Sequence, residues 1–139
     1  TSGKGNHKSP YPDDPVFQEK YAKFIKALAE DFNDYDKVDF IDAFGLGKWG
    51  ESHAMLYKDP SNKRKVFEWI TDLYTQTFTK VPLVIHYHRV IAADNQDSWG
   101  PVAPDTDELL HLAIEKGYSL RHDAFGMNGY YQEWEKELD

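Results

Sequence analysis

A chain of 139 residues is long enough for one domain with a sizeable core, and its 24 acidic against 16 basic side chains give a formal net charge of -8. That balance argues against a nucleic-acid backbone or an anionic membrane surface as partner, and no apolar run approaches the roughly 20 residues that span a bilayer. Cysteine is absent, which excludes a disulfide framework and a thiolate metal site, while an aromatic share of 15% suits either carbohydrate binding or a generous core.

Thr1 opens a segment without a signal-peptide pattern, and a start on Thr rather than Met leads us to expect that something upstream was removed. Tyr11-Pro-Asp-Asp-Pro-Val-Phe17 then predicts a helix start, with Asp14 as N-cap and Pro15 at the first helical position, where its missing N–H costs nothing. Phe17, Tyr21, Phe24 and Leu28 follow at steps of four, three and four, marking one helix face that ends near Asp31. Val38 to Gly45 is short, apolar and rich in β-branched and aromatic residues, the pattern of a buried strand. Asp59-Pro60-Ser61 opens a second helix with Val66, Ile70, Leu73 and Thr77 on one face and Trp69 beside it. Leu83 to His88 reads as a second strand, and Arg89 to Pro104, which contains Trp99, as a long loop. Asp105-Thr-Asp-Glu108 resembles a capping box and predicts a third helix that stops at Gly117. Tyr118 to Ala124 is the third predicted strand, and a further helix is expected from about Asn128.

Helices and strands alternate and no hairpin signal joins two strands, so the expected class is α/β with parallel strands and helical crossovers. The loops after the strands are long and those before them short. In parallel α/β folds the C-terminal strand edge carries the ligand site, and the long loops fall on that edge.

The chemistry-bearing residues collect there. Trp49, Glu51 and His53 lie within five residues beyond the first strand, a combination suited to sugars, because an indole covers the C–H face of a pyranose and a carboxyl in poor solvent can hold a proton near neutrality. Alternation puts Val84, His86 and His88 on one face of the second strand, and Ser119, Arg121 and Asp123 on one face of the third. Burying such polar groups is costly unless they pair, which favours a wet functional mouth over a core. Plainer roles stand beside these: strand-end histidines bonded to neighbours, an Arg121–Asp123 ion pair, and Trp49 and Trp99 as packing residues. The i, i+2 spacing of His86 and His88 would also fit a metal pair, for which His53, Glu51 or Asp123 would have to supply a third ligand. There is no G-x-G-x-x-G or phosphate-binding loop and no G-x-S-x-G elbow, so no cofactor is expected and a serine hydrolase is disfavoured.

The run Tyr11-Pro-Asp-Asp-Pro-Val-Phe17, the helix Phe24-Ile-Lys-Ala-Leu28, the strand Val38-Asp-Phe-Ile-Asp42 and above all Gly47-Lys-Trp-Gly-Glu-Ser-His53 resemble the middle of a (β/α)8-barrel family related to glycoside hydrolases, whose members carry a W-G-E-x-H signature. The resemblance implies that the three strands are about the fourth to sixth of a barrel and that Glu51 matches the acid/base carboxylate after strand four. Trp49 and Trp99 would then be sugar platforms, and His53, His86, His88, Arg121 and Asp123 would line the mouth. The family's nucleophile usually follows strand seven, which this chain does not reach; Asp123 or a partner residue would have to replace it. A separation from Glu51 of about 5 Å would fit retaining chemistry and about 6.5 to 9.5 Å inverting chemistry. A whole barrel needs roughly 250 residues, so the chain is expected to be a partial barrel completed by a second polypeptide or by the rest of its own. The other expectations are a small open sheet that dimerises, a non-catalytic carbohydrate-binding barrel, or a metal-dependent hydrolase.

Overall fold

The computed structural model describes residues 9–52, 55–86 and 105–121. Helix α1 spans Pro15–Phe32, strand β1 Ile41–Asp42, helix α2 Lys63–Thr77, strand β2 Leu83–His86, helix α3 Thr106–Glu115 and strand β3 Tyr118–Arg121. A 3-10 turn, Pro60–Asn62, leads into α2. The strands form one parallel sheet in the order β1-β2-β3, as the alternation of elements predicts. Ile41 pairs with Leu83, and Leu83 with Tyr118; at the other end His86 pairs with Arg121.

Local chemistry explains where the elements begin. The Asp14 carboxylate accepts from the N–H groups of Val16 at 2.9 Å and Phe17 at 3.3 Å, and Pro15 opens the helix, as expected. Ile25 is the residue that α1 buries fully, with Phe17, Tyr21 and Leu28 packed beside it. Phe24 departs from expectation: it lies about 100° round the helix from Ile25 and is 58% exposed. Asp59 caps the 3-10 turn through the Ser61 N–H at 2.9 Å. At α3 the expected capping box is not made, because Asp105 turns its carboxylate to the Lys63 ammonium at 2.9 Å.

Ile25 of α1, Val66, Phe67, Ile70 and Tyr74 of α2, and Leu109 and Ala113 of α3 share one core with Leu83, Ile85 and Tyr118 of the sheet. All three helices therefore cover the same face, the arrangement that right-handed crossovers between successive neighbouring strands produce. Strand β1 is shorter than predicted. Ala43 and Phe44 are buried, but only the Ala43 N–H still reaches β2, at 2.8 Å from the Val84 carbonyl, before Gly45 at φ 65° turns the chain out of the extended region.

Two side chains of β3 straddle β2, one on each face. On the helix side the Tyr118 hydroxyl donates to the Ala43 carbonyl at 2.9 Å. On the other side the Arg121 guanidinium reaches the Asp42 carboxylate, with Nε 2.8 Å from Oδ2. Both clamps end at the exit of β1. The parts of the second and third predicted strands beyond His86 and Arg121, the loop from Arg89 to Pro104 and the helix expected from Asn128 lie outside the described residues.

Candidate functional site at the C-terminal edge of the sheet

The segment leaving β1 is the most contorted part of the described chain. Between Gly45 and Ser52 five residues have positive φ: Gly45, Gly47 and Gly50, and the non-glycines Trp49 at 60° and Ser52 at 64°. Left-handed backbone is costly for a side-chain-bearing residue and persists only where its surroundings determine it. Here they do. The N–H groups of Gly50, Glu51 and Ser52 donate to the carbonyls of Gly47, Lys48 and Leu46 at 3.2, 3.2 and 2.9 Å, closing the segment on itself. Leu46 and Ser52 are buried as its anchors, and Leu46 also forms a bridge with Glu51. The result presents Trp49, 64% exposed, with the Lys48 ammonium 4.0 Å from its ring centroid, and leaves Glu51 half-buried two residues further on.

Asp42, His86 and Arg121 are the C-terminal residues of the three described strands. Register sets Asp42 beside Val84 and His86 beside Arg121, so all three belong to the face away from the helices. Arg121 and His86 thus share an edge, as alternation predicts. His86 is 7% exposed. The plainer role of Arg121, an ion pair with Asp123, lies outside the described residues; within them Arg121 binds Asp42 from two strands away. Asp42 is the residue that sequence reasoning passed over, although the same alternation, once register is known, selects it.

A cleft of about 410 Å³ opens between the segment leaving β1 and the start of α1. Its walls include Pro12, Phe17 and Tyr21, the backbone of Gly45, Lys48, and Met55. Because α1 runs back towards β1, its first turns stand at the same C-terminal edge. The Tyr21 hydroxyl sits 3.2 Å from that of Tyr74, and a Cβ on Gly45 would come within 2.4 Å of the first and 3.0 Å of the second. Burial raises the pKa of both phenols; the Asp42 charge adds in the same direction, and the hydroxyl pair stays protonated. Neither Trp49 nor Glu51 lines this cleft, and the sequence reading did not find it.

Of the sequence-derived site, Trp49, Glu51, His86 and Arg121 are placed at the C-terminal edge. His53, His88, Trp99 and Asp123 lie outside the described residues. Among the described residues no three His, Asp or Glu side chains gather into a group that could hold a metal ion. Comparison of the chain with protein-family models, with curated proteins and with solved structures finds no match.

Proposed function

We propose that the chain is part of a carbohydrate-active (β/α)8 barrel, a glycoside hydrolase in which Glu51 is the general acid/base and Trp49 a sugar platform. The observation that carries this reading is the exposed indole at φ 60°, presented two residues before Glu51 on the loop that leaves the C-terminal end of a parallel strand. An exposed Trp in strained backbone is poorly explained by packing, whereas stacking against a pyranose face requires that exposure. The half-buried setting of Glu51 suits a carboxyl that must exchange a proton with a glycosidic oxygen. His53, His86, His88, Trp99 and Arg121 complete the mouth in this proposal, and Asp123 or a partner residue supplies the second carboxylate.

Helices on a single face of a sequentially ordered sheet support the barrel, and the missing strands come from a second polypeptide or from the remainder of the barrel. Glu51→Gln in the completed assembly is expected to lower turnover of an aryl glycoside at least about 100-fold while sugar affinity changes little. Hydrolysis at the wild-type rate would remove Glu51 from the mechanism.

A non-catalytic carbohydrate-binding barrel is the second reading. It is favoured by the engagement of Asp42 with Arg121, which ties up the other described carboxylate of this edge. Sugar binding by titration, with no reducing ends released from the same sugar, would decide for it.

A further inference from the structure

We infer that the cleft beside α1 is a second sugar subsite, so that the ligand is an oligosaccharide of at least two units rather than a monosaccharide. This rests on the carbohydrate reading of Trp49 and Glu51 and extends it across the loop. Lys48 makes the connection: the residue lines the cleft, and its ammonium stands over the Trp49 ring. The cleft and the indole are therefore no further apart than a lysine side chain can bridge, the scale of neighbouring units in a glycan.

The cleft has the size and mixed lining that a sugar ring asks for. At about 410 Å³ it falls within the range of small-molecule sites. Phe17 and Pro12 offer apolar surface for C–H faces, while Tyr21 and Lys48 bring a hydroxyl and an ammonium that can meet sugar hydroxyls. Gly45 keeps the Tyr21 hydroxyl where it is, since any side chain at that position would displace it. A phenol held neutral, with Tyr74 as its fixed neighbour, can donate to or accept from a ligand hydroxyl without a change of charge.

The test is titration of the 139-residue chain with glycans of one to four units, selected by screening an array of glucose-, mannose-, xylose- and N-acetylglucosamine-based oligomers. Affinity is expected to rise about tenfold or more from one unit to two. Tyr21→Phe should take away about two- to tenfold of that gain, because it removes one hydroxyl and keeps the ring. Gly45→Ala should abolish the gain while monosaccharide binding persists, and Trp49→Ala should weaken ligands of every length. Tyr21→Phe remains informative if Gly45→Ala proves misfolded by circular dichroism. Equal affinity for one and two units, with Tyr21→Phe neutral and Trp49→Ala damaging, would overturn the subsite and leave the carbohydrate reading standing. If no glycan on the array binds at millimolar concentration, either to the chain or to the assembly completed by the remaining strands, the carbohydrate reading itself fails.

Discussion

Trp49 is where stability and the proposed function pull apart. Its left-handed backbone costs about 1–3 kcal/mol, against which the Lys48 ammonium over the ring returns about 0.5–1 kcal/mol. Trp49→Gly removes both terms and adds backbone freedom to the unfolded chain, at about 0.5–1 kcal/mol. The net change in unfolding free energy should lie between a loss of about 1 kcal/mol and a gain of about 2 kcal/mol, as urea denaturation would measure, whereas truncating a core Trp loses about 3–5 kcal/mol. The same variant is expected to lose sugar affinity. A stability loss in the core range would instead make Trp49 a packing residue. The sequence leaves Trp49 open between a sugar platform and a packing residue, because Gly-Lys-Trp-Gly carries no periodicity that assigns the indole a face. The conformation that puts Trp49 on view has no signature there either, because left-handed backbone at a Trp is a consequence of the surrounding hydrogen bonds.

At the level of elements, the turn before α2 depends on a residue some 45 positions earlier in the chain. The Asp13 carboxylate accepts from the N–H groups of Lys58 at 2.8 Å and Asp59 at 3.0 Å and from the Asn62 amide at 3.2 Å, tying the segment before α1 to the entry of α2. Desolvation pushes the Asp13 pKa upward, but these three donors outweigh it and hold the group below its ordinary value of 3.8. A carboxyl depressed by folding stabilises the native state fully above its unfolded pKa, and the contribution disappears as pH falls through the lower folded value. Asp13→Ala should therefore cost about 1–2 kcal/mol near neutrality, and the gap between variant and wild type should close as acid denaturation proceeds below pH 3.8. A gap independent of pH would assign the loss to packing. Caps such as Asp14 and Asp59 were legible because their partners lie two or three residues away. The partner of Asp13 is some 45 residues distant, and no local pattern encodes it. Arg121 shows the same limit: alternation gave its face correctly, but its partner across β2 depends on register.

The sheet of the described residues ends at two exposed flanks, and these decide whether it is a finished object. Strands β1 and β3 are the edges of the described sheet, and an edge strand leaves backbone donors and acceptors unpaired. Along the first flank Phe24 and Phe32 of α1, with Tyr35 and Phe40 beyond it, are 58%, 40%, 68% and 53% exposed. Along the second, Leu120 pairs in register with the core residue Ile85 and so belongs to the helix-covered face, yet it is 45% exposed, as is Ile114 of α3 at 46%. A side chain on the helix-covered face that is nearly half exposed is what the last strand of a partial barrel would present to the next helix. Alternating elements made the open parallel sheet legible in the sequence, since three parallel strands cannot close. The chain on its own is therefore expected to self-associate with rising concentration in sedimentation velocity. The double variant Phe24→Lys, Leu120→Lys should sediment as a monomer at the same concentrations, with each exposed substitution costing no more than about 0.5 kcal/mol in folding stability. Adding a polypeptide that supplies the remaining strands should compete with self-association in the wild type and fail to bind the double variant. A wild-type chain that stays monomeric at high concentration and binds no hydrophobic dye would show these flanks to be satisfied without further strands, and the partial-barrel proposal would lose its physical basis.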